Sequence, residues 1–294
     1  MQIIPTRSAW LHIRLFFSVF LLPVYVFALS QSPAADPVKA LLIFIIWHFF
    51  VYPASNGYNS YFDKDEGSIA LLEKPPQVDK SLYNFSILLD IIAVVLSFLV
   101  GIPFLLAVLI YGTLSKLYSH PAIRLKKYPV ISFLIVFIFQ GGFIYWTTYY
   151  CVSDLNYLIN ITGNFILGGL ICSCLIGASY PLTQVYQHEE DAKRGDKTLS
   201  LVLGIKGSFV FSGLLFMLAT VGVYFYWKQA GQLLNFYLFL LFGIPVAYTF
   251  IRWWLQVRVD KKSADFRNMT RMTVISSISM LLYFTLIWIL KLIF

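Results

Sequence analysis

Two stretches of this 294-residue chain repeat one chemical spacing. The first is Asn59-Ser60-Tyr61-Phe62-Asp63-Lys64-Asp65-Glu66-Gly67; the second is Gln187-His188-Glu189-Glu190-Asp191-Ala192-Lys193-Arg194-Gly195. Each reads amide, three residues, Asp, three residues, Gly. On a helix, an amide and a carboxylate four apart share a face, so each stretch offers a small oxygen-rich patch. Two such patches facing each other suit Mg²⁺, a hard cation that takes oxygen ligands and fills its shell with substrate phosphates. A lone acid at the edge of an apolar run is ordinarily a solvated loop residue. Here the acids cluster, as Asp63, Asp65 and Glu66 and again as Glu189, Glu190 and Asp191. Adjacent carboxylates repel, and a bound cation offsets the repulsion. The expected metal-linked pair is Asp63 and Asp191, with Asn59, Asp65, Glu66, Gln187 and Glu190 contributing. Basic residues follow each cluster: Lys64 and Lys74 after the first, Lys193, Arg194 and Lys197 after the second. Carboxylates for a metal with cations beside them fit a diphosphate held through Mg²⁺. The glycines let the backbone turn closely around phosphates or end the helices.

The elements that position these stretches are membrane spans. The chain is 59% hydrophobic and 12% charged, against about 25% charged in a soluble domain. Its mean hydropathy is +0.75. That composition implies a polytopic all-α membrane protein, a single domain over residues 1–294. A span needs about 20 mostly apolar residues. Nine are expected, near residues 10–30, 40–58, 82–99, 103–117, 130–150, 157–186, 209–227, 233–254 and 272–293, with the loop after the sixth running to about Lys206 and a turn at Asp154-Leu155-Asn156. Residues 82–117 as one helix would be about 54 Å long at ~1.5 Å per residue, too long for a ~30 Å core. The chain must therefore reverse at Gly101-Ile102-Pro103. Each acidic stretch follows a span, the second and the sixth, and is followed by a polar loop and a close pair of spans. This weak repeat predicts two four-helix units plus a ninth helix, with a site at their interface.

Charge sets the orientation. With nine spans, one side holds the N-terminus and the loops after spans two, four, six and eight. All of the 22 Lys and Arg fall on that side except Lys39, Lys228 and Lys291. The positive-inside bias places the N-terminus and both acidic motifs in the cytoplasm, in a bacterial inner membrane. The same distribution explains the net charge of +8 by a membrane surface and not by nucleic acid. Residues 1–30 lack a short apolar core followed by a small-residue cleavage site, so no cleavable leader is expected. Cys151, Cys172 and Cys174 lie in or beside apolar runs and have no zinc-type spacing.

The paired motifs resemble those of the UbiA superfamily of intramembrane prenyltransferases. There the first signature is Asn-Asp-x-x-Asp-x-x-x-Asp, and the second is an Asp-x-x-x-Asp-type run leading into Lys-x-Gly-x-Lys-Thr or a relative. Here Ser60 stands for the second Asp, Gly67 for a third and Gln187 for an acid; Asp65 and Glu66 lie close enough to supply the missing charge. The run Gly195-Asp196-Lys197-Thr198-Leu199 is similar to the menaquinone-pathway branch. The resemblance spans nearly the whole chain. It implies a helical bundle around a central cavity, with a polyprenyl diphosphate held at the cytoplasmic end through Mg²⁺ and its chain lying toward lipid. The implied diphosphate contacts are Asn59, Lys64, Arg124, Lys126, Lys193 and Lys197. The implied reaction is transfer of the prenyl group to a small aromatic acceptor, a quinone or lipid precursor.

Other readings stand beside this one. A terpene cyclase on the same scaffold shares the ionisation step, and a transporter would need polar pairs along a path through several spans. The basic loop with Arg124, Lys126 and Lys127 serves equally as an anionic-lipid contact or a topology signal, and Arg14 is a candidate to steer an anion. Asp90, in the middle of span three, is costly in lipid. It is protonated, paired with another helix or turned to the cavity. His48 is expected to be a packed and satisfied residue.

Overall fold

The computed structural model describes residues 4–153 and 162–293. Eight helices among them are long and apolar enough to cross a bilayer: Pro37–Asp63, Lys80–Ser97, Ile102–Ser119, Pro129–Val152, Gly163–Thr183, Leu199–Gln229, Leu233–Val259 and Phe266–Ile293. The pair Arg7–Phe20 and Leu22–Gln31, bent by 42°, makes a ninth candidate when counted as one broken span. These are spans two to nine and span one, and the described residues contain no β-strand. The turn expected at 154–156 and the expected start of span six lie outside the described residues.

Local chemistry fixes most helix ends. Asp36 accepts from the amides of Val38 and Lys39 at 2.7 and 3.0 Å and starts span two. Asp79, Thr162 and Thr198 cap spans three, six and seven in the same way, each side-chain oxygen satisfying an amide that has no carbonyl one turn back. The reversal between spans three and four falls at Gly101, whose φ of 138° is open to glycine alone. Span one breaks where Arg14 takes a left-handed φ of 46° and Pro23 enters the first turn of the second half. In span two the stretch Ile46–Val51 is π-helical. Pro53 has no amide hydrogen to give, and the widened turn absorbs the missing bond. A second π-helical stretch, Val136–Gly142, lies in span five, where the Gly142 amide is taken by Ser173 Oγ at 2.9 Å.

Two differences from the expected boundaries bear on the site. Span six ends at Thr183, four residues before Gln187, because Pro181 cannot continue the α ladder and the chain tightens into a 3₁₀ turn. Span seven starts at Leu199 and not beyond Lys206. Thr198 is a good cap and Leu199-Ser200-Leu201-Val202-Leu203 is mostly apolar, so the helix begins early and breaks inside at Gly204 (φ 67°, ψ 168°).

The chain divides into two compact units. One comprises residues 1–19, 33–127 and 151–156, so it holds the first half of span one and spans two to four. Its core joins Ala9, Ile13, Ala54, Leu82, Phe85 and Leu89, with Trp47 stacked on Tyr52 at 5.9 Å. The other holds the second half of span one and spans five to nine. There Phe27 stacks on Phe284 at 4.4 Å, and Lys291 Nζ donates to the Ser30 and Ser32 carbonyls at 2.7 and 2.8 Å, closing the end of the Leu22–Gln31 helix. A second cluster in that unit gathers Leu182, Phe209, Trp253, Val257 and Met269. In both units large apolar side chains such as Val95, Phe98, Met217 and Ile244 stay exposed, as helices with a lipid-facing side require.

Candidate active site

The first motif occupies the last turn of span two and the turn beyond it. Asn59 and Asp63 lie one turn apart on the helix Tyr52–Asp63, as the spacing predicts. The helix stops at Lys64, in the left-handed region at φ 49°, ψ 45°, its amide donating to the Ser60 carbonyl at 3.0 Å. A non-glycine residue there carries strain of about 1–2 kcal/mol. Asp63 also sits at the carbonyl end of its helix, where the helix dipole disfavours an anion. Lys126 offsets that: its ammonium forms an ion pair with Asp63 Oδ1, and only 13% of the Lys126 side chain and 7% of the Asp63 side chain remain exposed. Lys126 is brought there by a 3₁₀ turn, Leu125–Lys127, set up by a left-handed Arg124. Asn59 Nδ2 donates to Ser119 Oγ at 2.9 Å, which leaves the amide oxygen as the end available to a metal. Asp65 is partly exposed, and Glu66 and Lys64 are exposed.

The loop after this motif is clasped by the N-terminal helix. Ser8 Oγ donates to the Gln77 carbonyl at 2.7 Å, Thr6 Oγ1 to Asp79 Oδ2 at 2.6 Å, and His12 Nε2 lies 2.8 Å from the Pro76 carbonyl. Burial alone would raise the Asp79 carboxyl, but the hydrogen bonds from Ser81 and Thr6 outweigh it and hold the group below its ordinary value. Below the motif Tyr58, Phe62 and Tyr83 pack edge and face within about 6 Å of one another.

The second motif is built differently. It does not end span six; it begins a separate short helix, His188–Arg194, with Gln187 in the cap position and Glu189, Glu190 and Asp191 in the first turn. Acids there are favoured by the dipole. The helix closes at Gly195, φ 74°, with the Gly195 amide on the Ala192 carbonyl and the Asp196 amide on the Asp191 carbonyl. That pair of bonds needs a left-handed residue, which explains this glycine. Asp191 is 8% exposed, and its Oδ2 accepts from Thr198 Oγ1 at 3.3 Å. One threonine thus caps span seven and holds the acid. Glu190 and Gln187 are partly exposed; Glu189, Lys193 and Lys197 are exposed.

Beside Asp191 runs a buried polar chain that the sequence did not announce. Gln184 Oε1 accepts from the Ser200 amide at 3.2 Å, His188 Nε2 lies 2.7 Å from Ser200 Oγ, and Ser200 Oγ lies 2.8 Å from Ser208 Oγ. Ser208 then donates to the Gly204 carbonyl at 2.9 Å, across the break in span seven. Burial pushes the His188 imidazole below its ordinary value. Small hydroxyls inside an apolar run carry no pattern, so these partners were not readable. Lys116 was missed too, although a charge near the end of span four was a signal: it pairs with Asp90 at 2.5 Å, which decides among the three options for that acid. His48 is packed as expected, Nδ1 3.0 Å from the Ser18 carbonyl.

The candidate ligands, Asn59, Asp63, Asp65 and Glu66 in the first motif and Gln187, Glu190 and Asp191 in the second, offer oxygen donors, which suits Mg²⁺. Among the described residues no three or more His, Cys, Asp or Glu gather where they would hold a metal. Mg²⁺ needs no such cage, since one or two carboxylates with substrate phosphates complete its shell.

A model of the UbiA prenyltransferase family matches residues 20–278. This chain belongs to that family. The fold has solved counterparts: a UbiA homologue from Archaeoglobus fulgidus bound to DMAPP and Mg²⁺ is 18% identical, with a TM-score of 0.68 over 95% of this chain and 98% of that one. A digeranylgeranylglyceryl phosphate synthase is 21% identical, with a TM-score of 0.63 over 96% and 98%. An apo UbiA homologue from Aeropyrum pernix K1 is 15% identical, with a TM-score of 0.65 over 91% and 98%. At these identities the likeness is one of fold. No curated protein matches.

Proposed function

We propose that this chain transfers a polyprenyl group from an allylic prenyl diphosphate to a small aromatic acceptor, a quinone or lipid precursor. The observation that carries the reading is the Asp63–Lys126 pair at the end of span two. It is a shielded carboxylate already matched to a cation, on a helix end that disfavours the anion and favours the cation. A diphosphate gives Lys126 a second anion, and Asp63 becomes available to a metal riding on that diphosphate. Asp191, steadied by Thr198, plays the same part in the second motif. Asn59, Asp65, Glu66, Gln187 and Glu190 contribute oxygen, and Lys64, Arg124, Lys193 and Lys197 face phosphate oxygens. When bound, Mg²⁺ supplies the charge that stabilises the departing diphosphate. The C1–O bond breaks and its electron pair leaves on the diphosphate. A ring carbon of the acceptor bonds to C1 and releases its proton to water or to the freed diphosphate. Tyr58, Phe62 and Tyr83 offer aromatic faces to the allylic cation. Both motifs are cytoplasmic in this reading, on the strength of the Lys and Arg distribution, and the membrane we propose is a bacterial inner membrane.

The test is incubation of membranes with labelled geranyl, farnesyl and longer diphosphates and a panel of aromatic acids, read by mass spectrometry. A C-prenylated product should form only with acceptor present and should vanish in Asp63→Asn, in Asp191→Asn and in excess chelator. Acceptor-independent release giving a cyclised hydrocarbon or alcohol would establish the cyclase instead. Full activity in either variant would remove the assigned roles. Labelling of cysteines placed in the loop 67–80 from the outer side alone would reverse the orientation.

A further inference from the structure

The loop joining spans eight and nine is basic, and most of its charge, Arg258, Lys261, Lys262 and Arg267, lies exposed at the tip. Arg252 and Arg271 are different. They stand inside the helices, seven residues before the end of Leu233–Val259 and five after the start of Phe266–Ile293, about 10 and 8 Å in at ~1.5 Å per residue. Both line one shallow groove with Tyr248, Thr249, Gln256 and Asn268. Tyr248, Arg252 and Gln256 follow each other at intervals of four and make one stripe of span eight; Asn268 and Arg271, three apart, make the facing stripe of span nine. Among the described residues neither guanidinium has a carboxylate within ion-pair distance. The nearby acid is engaged: Asp265 accepts from the Asn268 amide at 2.7 Å and from its side chain at 3.3 Å.

The depth of the groove is marked by Tyr248. It lines the groove one turn before Arg252 and is exposed, and rings with a polar edge collect at the headgroup layer. Trp253 fixes the wall, its indole N–H donating to the Ser263 carbonyl at 2.7 Å. Two long cations at that level, rising from membrane-spanning helices, meet lipid phosphate before they meet bulk water. The planar guanidinium fork matches phosphate oxygens two at a time.

We propose that the Arg252–Arg271 groove is a binding site for the phosphate of an anionic phospholipid, with Gln256 as its neutral hydrogen-bonding partner. This site is independent of the acidic motifs and of the reaction assigned to them.

The experiment compares lipid retention by native mass spectrometry after purification from nanodiscs of phosphatidylglycerol or of phosphatidylcholine. The variants are Arg252→Gln/Arg271→Gln and, as a charge-matched control from the loop tip, Lys261→Gln/Lys262→Gln. At about fivefold per lost cation near a membrane surface, the groove variant should bind phosphatidylglycerol roughly 25-fold more weakly. The tip variant should stay within about threefold of the parent, since its charges lie off the groove. Arg252→Lys/Arg271→Lys should fall between, because it keeps the charge and loses the fork. Equal losses in the groove and tip variants would overturn the proposal in favour of diffuse surface charge. So would equal retention of both lipids by the unaltered protein, a comparison that needs no variant to fold. Displacement of the lipid by millimolar glycerol phosphate would overturn the assignment to a lipid.

Discussion

The Asp90–Lys116 pair gives the sharpest quantitative test of how this fold is held. Asp90 Oδ2 lies 2.5 Å from Lys116 Nζ, the side chains are 22% and 21% exposed, and the ammonium also stands 4.8 Å from the Tyr58 ring centre. An ion pair this shielded, inside membrane-spanning helices, gains little over a packed apolar pair of the same volume, because desolvation offsets the attraction. Removing one partner is another matter. The charge left behind loses about 3–5 kcal/mol of compensation in a fully buried pair; with a fifth of each side chain still exposed, about 2–3 kcal/mol is expected here. Lys116→Met should cost about 0.5 kcal/mol beyond Asp90→Leu, because it also removes the cation–π contact. Asp90→Leu with Lys116→Met should fall within about 1 kcal/mol of the parent. With two such single losses and a double near the parent, the cycle has a coupling energy of about 5 kcal/mol, and each single variant should melt roughly 7 °C below the double at about 2–4 °C per kcal/mol. Tryptophan fluorescence during thermal unfolding in one detergent at one scan rate reads it. Single-variant losses that simply add in the double variant would refute the reasoning and make the two residues independent.

Three further outcomes are expected. Lys126→Met takes the Lys126 charge from an Asp63 carboxylate that is 7% exposed and should lower stability by about 2–4 kcal/mol, while Asp63→Asn, which leaves the Lys126 ammonium without that partner but relieves the unfavourable helix-end charge, should cost about 1 kcal/mol less; both are read by the same melts. The Asp79 carboxyl is held below its ordinary value, so its contribution is complete above about pH 4 and disappears as the pH falls through its folded value; melts from pH 3 to 6 should lose this acid step in Asp79→Ala, which should also be about 1 kcal/mol less stable throughout through loss of the cap. A methyl group on Gly169 would overlap the Trp146 indole and force it off the Phe165 carbonyl, which it holds at 3.0 Å, so Gly169→Ala should lose about 1–3 kcal/mol despite its better helix propensity.

How much of this was legible depended on whether a residue type has a pattern of its own. Apolar length and the Lys and Arg distribution announced the spans, because the bilayer imposes both. Gly101 and Pro103 marked a reversal by conformational exclusion. Asn59 and Asp63 were placed correctly because they lie inside one helix, where spacing means position. Gln187 and Asp191 have the same spacing but a different setting: Pro181 ends the span first, and the motif starts a new helix. Spacing alone does not report which end of a helix a motif occupies. Lys126 pairs with Asp63 across 63 residues, and that partnership is a product of the fold. Ser200 and Ser208 are further still from notice, since a serine in an apolar run reads the same whether it faces a partner or packs silently.

The two motifs illustrate opposite solutions to one electrostatic problem. The second concentrates three acids in the first turn of a helix, where unpaired amides already favour negative charge, and then lets Thr198 tie Asp191 to the next span. The first puts its key acid at the wrong end of a helix and ends that helix with a lysine in a left-handed conformation. Local preferences oppose the arrangement, and the distant Lys126 helps to offset it. Such conflicts are concentrated where a sequence is held for something other than stability. A shielded carboxylate matched to a lysine from a distant loop is one that a charged ligand can re-pair. The motif that is harder for the fold to hold is therefore the one whose partners such a ligand can most easily rearrange.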